Sequence, residues 1–103
     1  MSVTLIMTWD IKDEVEQEYF EFMVREWGPK TSRMGLQPVA AWLTAWRIDE
    51  TIPLIRAEAI AESESKIREI LNSIEWHTIH SELLGYVDNY THKIVETTGE
   101  FRM

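Results

Sequence analysis

Three histidines, Tyr90 and five tryptophans carry most of the chemistry this chain could do. His77 and His80 stand three residues apart in a stretch with helical periodicity, and His92 follows in the last β-prone run. Imidazole changes charge near neutral pH, so it serves as base, acid or metal ligand. Two neutral imidazoles at i, i+3 can share a metal, with His92 as a third ligand. No carboxylate motif accompanies them, and no metal is expected. His80 shares a stripe with Trp76, Ile79 and Leu83. A packed, hydrogen-bonded histidine is the default there, with axial haem ligation the alternative. Tyr90 and His92 fall on one face of the last strand, and Asn89 and Thr91 on the other. If Tyr90 and His92 face a pocket they form an acid/base pair. If that strand is an edge, they alternate into solvent. The pairing register decides, and it is not readable from the pattern.

A second constellation lies in residues 39–48, Val-Ala-Ala-Trp-Leu-Thr-Ala-Trp-Arg-Ile. The run is long enough for a strand, yet both faces need burial. A one-sided sheet in a small domain alternates apolar and polar. A five-residue loop pairing Ile48 with Leu54 sets Trp46 against Arg56, Thr44 against Glu58 and Trp42 against Ile60. The opposite side then reads Ala41, Leu43, Ala45, Ala57, Ala59 and Ala61, small enough for helices to pack closely. Trp42, Trp46, Arg56 and Glu58 take the face that helices leave bare. Exposing two tryptophans would forgo several kcal/mol of burial at ~25 cal/mol per Å² and leave a sticky patch. A second copy of the chain is the economical cover, so a homodimer is expected. Between the sheets Arg56 could hold a carboxylate or enolate, and Glu58 could act as a base if burial raises its pKa. The plainer alternative is that Arg56 and Glu58 pair with each other while the tryptophans fill the interface.

The elements that must position these residues follow from periodicity. Residues 3–9 read as a strand ending at Asp10, a candidate helix N-cap. Val15, Tyr19, Phe22, Met23 and Trp27 mark one helix face. Glu14, Glu16, Glu18 and Glu21 are a solvated acidic side and not a metal cluster by spacing. Gly28-Pro29 interrupts the pattern, and Pro29 opens a short piece ending near Gly35. Strands follow at about 37–48 and 54–61. Ser63 caps a helix with Ile67, Ile70, Leu71 and Ile74 as its stripe. Asn72-Ser73 marks a break, and a further piece carrying Trp76 ends at Gly85, a candidate C′ residue. Residues 86–96 form the fourth strand, and Phe101 suggests that the tail docks. The order β-α-β-β-α-β is the split-βαβ, ferredoxin-like arrangement, with both helices on one face of a four-stranded antiparallel sheet.

The 103 residues suit one α+β domain spanning 1–103, and the net charge of −8 comes from 18 acidic against 10 basic residues. No Lys/Arg cluster suits a phosphate backbone or an anionic membrane. The chain has no cysteine, hence no thiolate nucleophile or Cys-based metal site. No apolar run of membrane-spanning length and no signal-peptide pattern is present, so cytoplasmic residence is expected.

The element order and spacing resemble the dimeric α/β-barrel superfamily over nearly the whole length. Ile70-Leu71-Asn72-Ser73-Ile74-Glu75-Trp76, then Leu83-Leu84-Gly85-Tyr86-Val87, is similar to the S-x-x-W…l-x-x-y-v stretch of its antibiotic-biosynthesis-monooxygenase-like branch. The resemblance implies a sheet-to-sheet homodimer closing into a barrel. Members include cofactor-free quinone-forming monooxygenases, haem-degrading monooxygenases, lactone isomerases and proteins without assigned activity. The haem-degrading members use an Asn on the first strand, a Trp on the second helix and a nearby His. Here Trp76 matches, with His77 or His80 close by, while Met7 and Thr8 stand where the Asn would be. The function expected is a cofactor-independent monooxygenase or isomerase acting on a small aromatic or enolisable substrate. Its catalytic residues would be Glu58, His80 and Tyr90, with Trp42, Trp46, Arg56 and Trp76 binding the ligand. The competing readings are a non-catalytic ligand-binding or structural dimer and a haem protein.

Overall fold

The structure, a computed structural model, describes residues 3–43 and 54–96. Strand β1 (Val3–Ile11) lies inside a four-stranded antiparallel sheet. Its neighbours are β3 (Ile55–Ala61) and β4 (Val87–Glu96), and β2 (Gln37–Leu43) is added outside β3, giving the order β2-β3-β1-β4. Helices α1 (Glu16–Phe22), α2 (Gly28–Met34), α3 (Glu64–Leu71) and α4 (Ile74–Leu84) supply the covering layer. This is the expected α+β, ferredoxin-like topology.

Alternation along β1 separates the two faces. Val3, Leu5, Met7 and Trp9 are buried in the main core with Ile67, Ile70, Ile79 and Leu83 from the helices. Thr4, Ile6 and Thr8 occupy the other face by the period of two. Across from them stand Ile60, Glu58 and Arg56 on β3, and Val95, Lys93 and Thr91 on β4. Of the small residues assigned to the helix side, Ala59 and Ala61 are buried there, Ala57 is half-buried, and Ala41 on the edge strand is exposed.

Several local expectations are corrected. Asp10 does not cap a helix, because β1 runs on to Ile11 and the N-cap of α1 is Val15, without a side-chain bond. Instead the Asp10 carboxylate accepts from the Leu54 N–H at 2.8 Å and the Asn89 side-chain amide at 3.0 Å. It ties β1 to both neighbours. Gly28-Pro29 does not interrupt the helix. A π turn (Met23–Trp27) carries α1 straight into α2, and the Gly28 N–H reaches back to the Met23 carbonyl. A wider turn suits a proline that lacks an N–H and whose ring would crowd the carbonyl four residues earlier. The helix then ends where expected, at Gly35 with φ 111°, a backbone that glycine adopts freely.

Ser63 and Ser73 both cap helices, accepting from the N–H groups of Lys66 and Trp76 at 3.1 Å. The break at Asn72-Ser73 is therefore real. Ile74 is not part of the buried stripe: as the first residue of α4 it is 81% exposed. Gly85 holds ordinary right-handed geometry at φ −72°, so it closes α4 without the left-handed turn that glycine permits.

The hairpin register also differs. Trp42 pairs with Arg56, whereas a five-residue loop would set it against Ile60, and Leu43 pairs with Ile55. From Ala40 to Leu43 the backbone pairing is shifted by four residues, an even number that keeps the period of two in phase, so apolar alternation could not distinguish the two registers there. Only the assumed loop length did. A further slip of one falls between Pro38 and Ala40. Trp46 and the rest of residues 44–53 lie outside the described residues, as does Phe101.

Candidate active site

Two departures from regular geometry aim side chains into one place under the helices. The first is a bulge where β4 meets β1. Thr8 pairs with Thr91 but Asp10 pairs with Asp88, so Trp9 faces two residues on β4. The additional residue is accommodated at Asn89, with φ 59°, a left-handed conformation that asparagine tolerates better than most. The bulge resets the alternation. Val87 before it is buried in the core, and Tyr90 after it packs against the same core. The second departure is the π turn, which carries the buried Trp27.

These residues complete a closed ring of aromatic contacts. Trp9 meets Trp27 edge-on with centroids 6.2 Å apart. Trp27 meets Trp76 at 5.3 Å, and Trp76 stacks on His80 at 5.3 Å with 17° between planes. His80 meets Tyr90 edge-on at 4.4 Å, and Tyr90 stacks on Trp9 at 5.9 Å and 13°. Each contact is a preferred aromatic geometry. Tyr19 closes the inner side, accepting a 2.9 Å hydrogen bond from the Trp9 indole N–H. His92 stands on the outer side, exposed, with Nδ1 3.2 Å from the Tyr90 hydroxyl.

The polar groups of this ring are not all satisfied. His80 Nε2 is buried and finds no hydrogen-bond partner among the described residues. The expectation of a fully hydrogen-bonded histidine is thereby corrected. An unpaired buried polar atom costs about 1–3 kcal/mol, so a folded protein that keeps one invites a functional explanation. Burial first, then the charges of His92 and His77, hold the His80 pKa below the ordinary 6.5. The imidazole is therefore neutral at pH 7, the form that accepts a proton. Burial pushes Tyr90 well above the usual 10, keeping its proton in place. Burial raises Tyr19 as well, against the smaller opposing effect of the Trp9 hydrogen bond.

The site residues read from the sequence divide between the faces of the sheet. Trp76, His80 and Tyr90 come together in the ring. Arg56 and Glu58 lie on the open face, where the guanidinium donates to Glu58 Oε2 from Nη2 at 2.9 Å and from Nε at 3.1 Å. The backbone of Trp42 pairs with Arg56. The two groups therefore cannot line one pocket within a protomer, which corrects the expectation of a single combined site. Sequence reasoning missed Trp9, Tyr19 and Trp27 as site residues. Their signal was present, because Trp9 continues the buried Val3, Leu5, Met7 alternation and Trp27 continues the Tyr19 stripe.

Among the described residues no three His, Asp or Glu side chains gather as a metal site would need. A haem does not fit the ring either: the Nε2 that would ligate iron is buried, with Trp76 stacked on the imidazole and Tyr90 against it. No helix among the described residues is long and apolar enough to cross a membrane.

No family model matches this sequence, and no curated protein matches it. Solved structures do. The hydroxynitrile lyase from Passiflora edulis superposes with a TM-score of 0.75 at 9% identity, covering 94% of each chain. A mutant of SnoaB, a cofactor-independent oxygenase from Streptomyces nogalater, gives 0.65 at 14% identity over 93% of this chain and 92% of that one. A dimeric protein of unknown function and ferredoxin-like fold from Bacteroides fragilis gives 0.59 at 13%, over 92% and 95%. These likenesses show the fold, a ferredoxin-like α+β domain.

Proposed function

We propose that this protein is a homodimeric, cofactor-independent enzyme that moves protons on a small aromatic or enolisable substrate, as a monooxygenase or isomerase does. The observation that carries the reading is His80 Nε2, buried without a partner inside an aromatic ring and beside a protonated tyrosine. Neutral His80 accepts a proton from an acidified C–H or O–H of the substrate. Tyr90 donates a hydrogen bond to the oxyanion that develops. His92, in the tautomer that carries its proton on Nδ1, donates to Tyr90 and leaves the phenol proton free for substrate. Trp76 and Trp9 hold a planar substrate by stacking. The enolate then takes a proton at another carbon, the isomerase outcome, or passes an electron to dioxygen, and the two radicals join through a C–O bond to a hydroperoxide that loses water to leave a carbonyl, the oxygenase outcome. Admission of substrate requires Tyr90 or His92 on the edge strand to swing outward, uncovering Nε2. SnoaB, which shares the fold, is described as a cofactor-independent oxygenase, and the Passiflora enzyme as a hydroxynitrile lyase. Both support small-molecule chemistry without fixing the substrate.

The homodimer is part of the proposal. The sheet face opposite the helices carries Ile6, Ile60 and Val95 among polar residues, and a second copy covers it sheet to sheet. The dimeric Bacteroides protein of like fold supports this. A monomer at micromolar concentration by analytical ultracentrifugation overturns it.

The test of the site is a titration of Trp fluorescence with hydroquinones and 1,3-diketones, followed by turnover under air. Saturable quenching and a turnover that falls about a hundredfold or more in His80→Asn, with dimer and melting temperature intact, is the expected result. A flat response across the panel returns the protein to the second reading, a non-catalytic dimer. That reading draws on the open face, where Arg56 and Glu58 already satisfy each other.

A further inference from the structure

Two side-chain hydrogen bonds bracket the point where Trp9 and Tyr90 meet. Thr8, Trp9 and Asp10 on β1 run opposite Thr91, Tyr90 and Asn89 on β4. The Thr8 and Thr91 hydroxyls bond to each other, and Asp10 Oδ2 accepts from the Asn89 amide at 3.0 Å. Between these bonds, on the helix side, the Trp9 and Tyr90 rings stack at 5.9 Å and 13°. The two bonds are not equivalent. Thr8 and Thr91 are direct partners in the ladder, so the backbone holds them as well. Asn89 falls at the bulge, with φ 59°, where the ladder is interrupted. Relaxing that bulge would slip β4 by one residue, and such a slip sends a side chain to the opposite face. Tyr90 would then leave the ring. The Asp10 carboxylate is itself anchored, because Oδ1 accepts from the Leu54 N–H at 2.8 Å, and an ionised acceptor makes the stronger kind of hydrogen bond. The ring contacts constrain Tyr90 less, since aromatic pairs tolerate a range of centroid separations. His92 reaches the Tyr90 hydroxyl at 3.2 Å, but it sits on the same strand and moves with Tyr90.

We propose that Asp10 is a positioning residue of the site: through Asn89 it holds the β4 bulge in place and so fixes the Tyr90 phenol against His80. The assignment rests on the proposed part of Tyr90 as hydrogen-bond donor to the substrate. Asp10 acts through Asn89 and the backbone, not by touching substrate. Asn89 is exposed, so its bond adds little to stability, and the effect is to be read in the ring and not in melting.

The test exchanges donor and acceptor. Asn89→Asp sets a second carboxylate against Asp10, in a residue type that still tolerates the left-handed backbone. Adding Asp10→Asn restores a donor opposite an acceptor and returns the net charge to that of the parent. The readouts, on the full-length protein, are the NMR signals of the Tyr90 ring, which lies against Trp9, and turnover of methylhydroquinone under air. In Asn89→Asp the Tyr90 signals should move toward those of an unstructured tyrosine. Its kcat should fall about tenfold with KM changed less than about threefold, and the exchanged pair should recover the signals and come within about twofold of the parent kcat. Asn89→Gly removes the amide, adds no charge and suits the backbone, so it keeps the fold and should displace Tyr90 in part. Tyr90 signals unchanged in both Asn89→Asp and Asn89→Gly overturn the proposal. So does an exchanged pair that folds with Tyr90 still displaced, since the bond would then not be the route. Displaced signals with kcat unchanged would keep Asp10 as the residue that places Tyr90 and sink the part proposed for Tyr90 in the reaction, so the two failures are told apart.

Discussion

The same strands build two unlike surfaces. Toward the helices, β1 and β4 present Trp9 and Tyr90, which stack on each other and join Trp27, Trp76 and His80 in a ring. Toward the open side they present Thr8 and Thr91, whose hydroxyls are hydrogen-bonded, with Arg56 and Glu58 paired alongside. The helix side is rich in area and leaves one buried nitrogen unpaired among the described residues. The open side pairs Thr8 with Thr91 and Arg56 with Glu58 and carries no such ring of aromatics among its described side chains. Unsatisfied chemistry inside a dry, well-packed wall is where small-molecule reactivity belongs. A satisfied, flat, half-apolar face is where another sheet belongs. The proposed function uses this difference, placing reaction on one face and assembly on the other.

Four tests break or sharpen that contrast. The largest effect is expected from Trp76→Ala, which opens a cavity between α4 and the sheet and should cost about 3–5 kcal/mol in urea unfolding. Arg56→Ala on the opposite face should cost no more than about 1 kcal/mol. Comparable losses would mean that the faces are not energetically distinct. Next, Ile60→Glu places a charge on the open face without touching the ring. Its dimer dissociation constant should rise about a hundredfold or more in sedimentation, while the circular dichroism of the fold is retained. An unchanged dimer would put the interface elsewhere. Third, Asn89→Val should cost about 1–2 kcal/mol, because a β-branched residue resists the left-handed backbone of the bulge, and Asn89→Gly should be close to neutral. If Val is tolerated, the bulge is not what holds Tyr90 in the ring.

That third case shows what the sequence could and could not reveal. Element order, the Ser63 cap, the break at Asn72-Ser73, the Gly35 stop and the two-faced sheet all follow from periodicity and local chemistry, because each is decided by near neighbours in the chain. Tyr90 and His92 were legible as a pair on one face, but not which face. One left-handed asparagine resets the alternation of β4, and nothing in Asp88-Asn89-Tyr90 announces it beyond the asparagine itself. The π turn was hidden for a similar reason, since Gly28-Pro29 reads as a stop unless the preceding turn widens. The hairpin register failed on loop length alone. The aromatic ring draws on β1, the π turn, α4 and β4, so its assembly is a tertiary fact, although Trp9, Trp27 and Trp76 are each aromatics on an apolar stripe. His80 was placed on the right stripe. Its unpaired nitrogen could not be foreseen, because that depends on what fails to reach it.

The smallest effect is also the one most specific to the ring. Burial, followed by the nearby His92 and His77, lowers the His80 pKa from its ordinary 6.5 in the folded protein. Above that value His80 is neutral both folded and unfolded, and it contributes no pH dependence. As pH falls below it, the unfolded chain takes up a proton that the folded chain refuses until its own lower pKa is reached. Stability is therefore present above the unfolded pKa and declines across the window down to the folded one. The other groups against the imidazole do not reverse this sign: Tyr90 stays protonated throughout, and Trp76 does not titrate. His80→Phe fills the space without a titratable nitrogen, so the decline between about pH 7 and 5 should be shallower in the variant than in the parent. The comparison with the parent cancels the carboxylates, which both proteins share. The same shift predicts that any turnover relying on neutral His80 keeps its acid limb below pH 6.5. Parallel stability profiles for the two proteins would mean that the imidazole is open to solvent, and the ring would then be packing without chemistry.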